Sequence, residues 1–232
     1  MKTRDNLNVS EYEEYVPSEK ISEPLNVGKA KDKLLPEGKP IQSSENVTSE
    51  FLKRYQTQLV ANLVGVRGDN RSPDEILPKC DRKDQSPHLN LEQHRYDSNC
   101  SGFVSFTRDP RVAHDYGKKY GRKYNHNPSY YYTIGATIKE GLVMLNNYDI
   151  FPADKEVTVI GSPNKDRWEI KSFRKCENTL FDKYQYHDDS FWKCGSIFIK
   201  KDLPIEETNI HIKAHRTNTE TKANVQFNPK KF

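Results

Sequence analysis

The stretch LVGVRGDNRSPDEI, residues 63–76, carries two structural signals in succession. Its first part, residues 63–67, is a short apolar run that ends on Arg67, and such a run predicts a β-strand. Gly-Asp-Asn follows, and these residue types favour a turn. From Ser72 the order Ser-Pro-Asp-Glu predicts the start of a helix. Serine caps, proline fits the first helical position, and the acids face the positive end of the helix dipole.

Other apolar runs along the chain predict further strands, and these outnumber the helices. Aromatic and β-branched residues, which favour strands, are concentrated in the runs 103–107, 130–138, 156–160, 167–173 and 196–200. Short helices are predicted over 49–59, where Phe51, Leu52, Tyr55 and Leu59 share one helical face, and from Asp109 to about Tyr116. Many short strands with few helices indicate an α+β domain of roughly 150 residues.

The composition divides the chain into three parts. Residues 1–46 are polar and rich in proline and show no hydrophobic period, so we expect a disordered leader or linker. Residues 47–202 contain all the predicted strands and are expected to form the folded domain. Residues 203–232 turn polar and basic again, and we expect a loosely held tail.

Bulk properties exclude some classes of protein. The net charge of +4 is too small for the dense basic patch of a dedicated nucleic-acid binder. No run of apolar residues is long enough to span a bilayer, and the charged start lacks the apolar core of a signal peptide. The four cysteines, at 80, 100, 176 and 194, lack zinc-finger spacing, so no metal site is predicted. A disulfide remains an open alternative to free thiols.

Three separated motifs resemble the catalytic pattern of the ADP-ribosyltransferase toxins of the cholera, heat-labile enterotoxin and pertussis group. Residues 66–76, VRGDNRSPDEI, match the family's R-x-D-x-R-x-P-[DE]-[DE]-I almost position by position. Residues 103–107, FVSFT, resemble its F-V-S-T-S strand, with Phe106 in place of a threonine. Residues 154–156, DKE, stand where the family has E-x-E or Q-x-E before a strand. The resemblance covers about 60–174, with the motifs in the family's order.

The resemblance implies a split, mixed or antiparallel β-sheet and NAD⁺ as substrate, with no metal. Arg67 would grip phosphate through its fork of donors, which suits that task. Glu156 would stabilise the positive charge that builds on the ribose as nicotinamide leaves, as carboxylates do in glycosidases. Ser105 would orient Glu156.

The resemblance also implies residues that contact NAD⁺. Gly68 would let the nicotinamide amide approach the backbone, and Asp69 and Thr107 complete the binding set. His94, eleven residues before Ser105, fits the histidine that contacts the adenosine ribose, with His88 as the alternative.

Asp154 occupies the position that selects the acceptor in the family. Its charge favours a protein acceptor, with arginine as the side chain, and Tyr148 and Phe151 would contact the incoming target. The resemblance further implies a monomeric toxin or effector, alone or within a larger toxin assembly. It would be secreted or delivered into a target cell without a classical signal peptide and would act in the cytosol there.

Three alternatives stay open. The same fold could modify DNA or RNA, which the basic pI permits, or could hydrolyse NAD⁺ with water as the acceptor. A third reading is a module that only binds a partner, either an inactive relative or a ligand that uses Arg67-Gly68-Asp69. The bulk of Phe106 keeps this last reading open.

Overall fold

The computed structural model describes residues 8–16, 34–76, 87–96, 100–124, 130–145, 155–161, 167–178 and 192–216. Ten strands lie within these residues. They are β1 (Tyr12–Glu14), β2 (Lys39–Ile41), β3 (Thr57–Ala61), β4 (Leu63–Asp69), β5 (Phe103–Thr107), β6 (Tyr130–Ile138), β7 (Gly141–Met144), β8 (Glu156–Ile160), β9 (Trp168–Asn178) and β10 (Trp192–Lys200).

The strands form one sheet in the order β1-β10-β9-β6-β4-β5-β8-β7-β3-β2. Every pair of neighbouring strands in the described part of the chain runs antiparallel. The α-helices described are α1 (Ser49–Tyr55), α2 (Leu91–Tyr96), α3 (Pro110–Tyr124) and α4 (Ile205–Ala214). A large antiparallel sheet with a few short helices is an α+β fold, as the sequence predicts.

The sheet is divided near its middle, between β4 and β5. β4 pairs with β6 from Leu63 to Asp69, along its whole length, but among the described residues it meets β5 at a single position, Val66 opposite Thr107. β5 in turn pairs with β8 along its whole length. We call β1, β10, β9, β6 and β4 the β4 half, and the other five strands the β5 half. After Val66, the last residues of β4 therefore lie beside β5 without pairing with it, although they still pair with β6.

Each half is covered by its own helices. Val64 and Val66 on β4 pack with Ala113 of α3 and Ala214 of α4. The β5 half packs a separate cluster that includes α1 and α2, with Tyr55, Leu59, Leu91, Phe103 and Leu142. The strands that carry the predicted motifs are therefore packed against helices, β4 on one side of the split and β5 on the other.

Both predicted tails are wrong where the structure describes them. β1 pairs with β10, and buried Tyr12 donates its hydroxyl hydrogen to the Ile170 carbonyl at 2.8 Å. β2 pairs with β3. Residues 205–214 form α4 instead of a loose tail, and they bury His211, Ile212 and Ala214. The polar composition misled the prediction for two reasons. β1 is anchored by a single buried residue, Tyr12, and α4 buries a polar residue, His211, beside its few apolar ones.

Two predicted helices also differ. The first ends at Tyr55, where Gln56 takes a left-handed conformation with φ 45°, and Leu59 lies in β3 instead. The Ser-Pro-Asp-Glu stretch forms a turn over 73–75, and the remainder of the predicted helix lies outside the described residues. A single capping signal starts a helix only when an apolar periodic face follows it.

The chain contains disulfide bonds, which the sequence left as an alternative to free thiols. Cys176 on β9 and Cys194 on β10 are joined by a disulfide, and Cys100 is also disulfide-bonded. In the described residues, no helix has both the length and the apolar character to cross a membrane.

Candidate active site

Arg67 lies at the end of β4 and reaches across the split to β5. Its Nη1 donates to the Ser105 carbonyl at 2.8 Å, and its Nε donates to Asp69 Oδ2 at 2.9 Å. Its Nη2 has no hydrogen-bond partner among the described residues, and the side chain is 26% exposed. The guanidinium is thus fixed at two nitrogens and has donors left over for an anion.

Asp69 holds two arginines in place. It is buried and accepts from Arg67 and from both the backbone and the side chain of Arg71, with the Arg71 Nη2 to Oδ2 distance 2.7 Å. Burial alone would raise the pKa of this carboxyl. The charge of Arg67 and the hydrogen bonds from Arg71 outweigh it and hold the pKa far below its ordinary value. Asp69 is therefore a charged positioning residue whose acceptor sites are already used by arginine.

Ser105 and His94 meet on the β5 side of the split. His94 Nε2 lies 2.9 Å from Ser105 Oγ, and its ring packs on Phe103 at 5.5 Å between centroids. Burial, followed by the charge of Arg67, lowers the pKa of His94 to about 4, so the ring is neutral at neutral pH. Its Nδ1 is buried without a hydrogen-bond partner in the described part of the chain.

An unpartnered buried nitrogen is costly in a folded protein. Within a site, such an atom has hydrogen-bonding capacity left for a ligand or a water molecule. His88, the alternative candidate, uses its Nδ1 to accept from the Asn90 amide at 3.3 Å, and its Nε2 is also buried without a partner among the described residues. The hydrogen bond to Ser105, however, is made by His94. The structure thus pairs His94 with Ser105.

Glu156 begins β8, directly opposite Thr107 on β5. Its Oε1 accepts from Thr158 Oγ1 at 3.2 Å, and Thr158 lies opposite Ser105. In this structure the Ser105 hydroxyl contacts His94 and makes no hydrogen bond to Glu156 among the described residues, so its role in orienting Glu156 stays a prediction. The hydroxyl that hydrogen-bonds Glu156 belongs to buried Thr158, which sequence reasoning missed. The signal was available, since residues two apart on a strand share one face.

The other predicted residues of the strand motifs have local structural roles. Thr107 is buried and its Oγ1 accepts from the Asp109 amide at 2.9 Å, just before α3. Gly68 packs against α3, where an added Cβ would lie 1.8 Å from the Ala113 carbonyl oxygen. That close approach of helix and strand explains the glycine, and its contact with nicotinamide stays a prediction.

Phe106, the departure from the family pattern, does not enter the split. Its ring is 2% exposed and packs edge-on against Trp168, with centroids 5.1 Å apart. Its neighbours Ser105 and Thr107 point to the other side of β5, because side chains alternate along a strand. The bulky ring is therefore part of the core. Because it does not occupy the split, its size is no steric obstacle to a ligand there.

The third motif is described only in part. Asp154, Tyr148 and Phe151 lie outside the described residues. Lys155 has a left-handed backbone with φ 48°, and its carbonyl accepts from the Arg108 amide at 3.1 Å. This contact ties the residue before Glu156 to the residue after Thr107.

One group of described side chains has the spacing of metal ligands, namely His114, Cys176 and Cys194. The two sulfurs are joined in the disulfide, so they are not free thiolates. This group lies on the β4 half and contains none of the residues of the split.

Comparison with known proteins gives little further information. No protein-family model matches the chain, and no curated protein matches it. A solved structure called EcPltA matches at 16% identity over 61% of this chain and 87% of its own, with a TM-score of 0.39. This likeness is too distant to assign a fold or a function.

Proposed function

We propose that this chain is a mono-ADP-ribosyltransferase, which cleaves NAD⁺ between ribose and nicotinamide and transfers ADP-ribose to a target protein. The observation that carries the proposal is the meeting of Arg67, His94 and Ser105 at the split of the sheet, with Glu156 on the next strand. Arg67, Ser105 and Glu156 come from the three motifs, and His94 is the histidine that the resemblance implies before Ser105. The split, antiparallel sheet supports the ADP-ribosyltransferase-like form of the α+β fold.

The chemistry assigns a separate task to each side chain. The unpaired donors of Arg67 bind the pyrophosphate of NAD⁺. Neutral His94 offers its free Nδ1 to a ribose hydroxyl. The bond from the ribose C1′ to the nicotinamide nitrogen breaks, and neutral nicotinamide leaves with the electron pair. The carboxylate of Glu156 stabilises the oxocarbenium charge on the ribose.

Transfer is completed by the acceptor. A nucleophilic atom of the target forms a bond to C1′, and its proton passes to a nearby carboxylate or to water. Arginine is the acceptor that the acidic Asp154 favours. Thr158 positions Glu156 through the hydrogen bond to Oε1.

The decisive experiment combines labelled NAD⁺, whole-cell lysate and the Glu156→Gln variant. Half of the lysate is treated with nuclease beforehand. We expect a labelled protein band whose labelling rate falls by about 10³-fold in the variant, because glutamine keeps the size and removes the charge. Glu206→Gln, which changes an exposed carboxylate on α4, is the matched control and should keep full activity. Melting curves of all three proteins show that each is folded.

Other outcomes would replace the proposal with an alternative. Near-full labelling by folded Glu156→Gln would eliminate the mechanism. Label that disappears with nuclease treatment would identify a nucleic-acid acceptor. Nicotinamide release without labelled macromolecule would identify an NAD⁺ glycohydrolase. No turnover and no NAD⁺ binding would leave a module that only binds a partner.

A further inference from the structure

Three buried histidines join α3 and α4 to the β4 half, away from the proposed site. His211 lies in the last turn of α4, His215 caps its C-terminal end, and His114 lies on α3. Their exposed fractions are 0%, 0% and 3%. Histidine is seldom so completely buried unless its nitrogens are paired.

The hydrogen-bond partners fix the tautomer of neutral His211. The Thr137 hydroxyl donates its single hydrogen to Glu207 Oε1, so its oxygen can only accept from His211 Nε2, 3.1 Å away. His211 therefore carries its hydrogen on Nε2. In the neutral ring, Nδ1 is then an acceptor, and it takes the hydrogen of the Ser172 hydroxyl at 3.0 Å.

The same reasoning continues through Ser172 to His215. Having given its hydrogen to His211, the Ser172 oxygen accepts from His215 Nε2 at 2.7 Å. His215 Nδ1 then accepts from the Thr133 hydroxyl at 2.8 Å. A single directed chain runs from Thr133 through His215, Ser172, His211 and Thr137 to Glu207.

The third histidine follows the same pattern. His114 Nε2 lies 3.2 Å from the His215 carbonyl, which can only accept, and His114 Nδ1 lies 2.9 Å from the Tyr131 hydroxyl. In their neutral form, all three rings therefore carry the hydrogen on Nε2.

An added proton would disturb the directed chain and place a charge in a buried site. A proton on His211 Nδ1 requires the Ser172 hydroxyl to turn its hydrogen away and accept instead, and a proton on His215 Nδ1 requires the same of Thr133. The network is also closely packed, because a Cβ at Gly135 would lie 2.3 Å from Ser172 Oγ and 3.0 Å from His211 Nδ1. Glycine at this position makes the room that the network occupies.

The charged groups around the network also oppose an added proton. Lys171 and Arg174 on β9 are cationic, and Arg174 Nη1 donates to the His215 carbonyl at 3.1 Å. Glu207 on α4 is the favourable charge, with Oε1 3.9 Å from His211 Nε2. Glu169 on β9 is paired with Lys171 and with Lys200 of β10. The cations and the burial outweigh Glu207.

We propose that α4 is an acid-sensitive latch, in which protonation of His211 and His215 releases the helix from the β4 half. The inference does not depend on the proposed enzymatic activity. Release would remove Ala214 from the face of β4 on which Val64 and Val66 pack, one residue away from Arg67, and would leave Ala113 of α3 there. The latch would thus couple acidity to the support of that strand.

The pH window follows from the direction of the shifts. Burial, followed by the charge of Lys171, lowers the pKa of His211 to about 3, and burial with the neighbouring cations holds the pKa of His215 well below its ordinary value. In the released helix both rings have an ordinary pKa of about 6.5. The free energy that favours docked α4 is therefore at its maximum above pH 6.5, and it decreases as the pH falls below that value. At pH 5 the equilibrium ratio of released to docked α4 is higher than at neutral pH by roughly 30-fold per histidine, or about 10³-fold for the pair.

Hydrogen exchange of the full chain tests the latch directly. Protection factors, corrected for intrinsic rates, are measured for α4 and for β8 between pH 7.5 and pH 5. We expect α4 to lose up to about 10³-fold of its protection, while β8 in the other half of the sheet keeps its own. Constant protection of α4 would overturn the proposal, and so would an equal loss in both elements, which would mean that α4 does not separate on its own.

Variants assign the effect to the two rings. Glutamine keeps a donor and an acceptor but does not titrate, so each of His211→Gln and His215→Gln should remove about 30-fold of the pH effect. His94→Gln is the matched control, since His94 is also buried with a lowered pKa but lies at the split, and it should leave the α4 response unchanged. If a glutamine variant does not fold, histidine ¹⁵N shifts of the wild-type chain still test the proposal. A hydrogen on Nδ1 of His211 or His215 at pH 7.5 would contradict the directed chain.

Discussion

Buried histidines at the split and behind the β4 half are neutral for the same reason, but they are paired differently. At the split, His94 uses one nitrogen on Ser105, and its Nδ1 has no partner among the described residues. Behind the β4 half, both nitrogens of His211 and of His215 have partners. The first arrangement has capacity for a ligand, whereas the second uses all of its capacity to hold α4.

The same contrast holds for the charged groups of the two regions. Asp69 at the split fixes Arg67 but leaves that guanidinium with free donors. Arg174 behind the sheet donates to the carbonyls of Cys194, Gly195 and His215, all within the framework. Substitutions at the split should therefore reduce activity, and substitutions behind the sheet should reduce stability alone.

Among the substitutions that test this comparison of the two regions, the largest effect is expected for Asp69→Asn, which should lower both activity and stability. The amide cannot neutralise Arg67 and Arg71, so we expect about 100-fold lower transfer and a free energy of unfolding lower by about 2–3 kcal/mol. The native carboxyl has a lowered pKa, so its stabilisation is full above about pH 4 and is lost as the pH falls. Urea unfolding at pH 7 and below pH 4 should therefore show a difference from the wild type that narrows in acid.

Asp202→Asn is the control for that substitution. Asp202 is exposed with φ 64°, a conformation that asparagine also tolerates, so neither activity nor stability should change. Full transfer by folded Asp69→Asn would show that the orientation of Arg67 does not matter.

A smaller effect, confined to stability, is expected for Gly135→Ala behind the sheet. The new methyl group would collide with Ser172 Oγ and His211 Nδ1, and overpacking of this kind costs about 2 kcal/mol. Transfer by the folded variant should equal that of the wild type, measured well below its melting temperature. Gly195→Ala is the matched change, since its Cβ would meet its nearest atom at 3.3 Å and should cost less. Equal losses in the two variants would contradict the role of Gly135.

The strands were predictable because their residues carry the signal locally. The runs 63–67, 103–107, 130–138 and 156–160 all lie in strands, at or close to the predicted bounds. Apolar and β-branched residues in short runs favour strands whatever lies around them. The split between β4 and β5 was expected only from the resemblance, since no local signal reports which strands fail to pair.

The parts that depend on distant partners could not be predicted. α4 has few apolar residues, and its burial depends on Ser172, Thr133 and Thr137 on two other strands. At the site, Arg67 and Glu156 were predicted from motifs. Thr158 was missed because none of the motifs contains it, although its spacing of two residues from Glu156 places both side chains on one face of β8. The disulfide partner of Cys176 was likewise undetermined until β9 and β10 were seen to pair.

The smallest expected effect, for Thr158→Val, also separates the two regions most cleanly. Valine keeps the shape and removes the hydroxyl that positions Glu156, so we expect kcat to fall about 5-fold with KM unchanged. Thr158→Ser keeps the hydroxyl and should stay close to wild type. If serine is as impaired as valine, packing and not the hydrogen bond is the cause. Thr133→Val makes the same exchange at the start of the histidine chain, where it should weaken the docking of α4 and leave kcat unchanged, because that hydroxyl serves the framework.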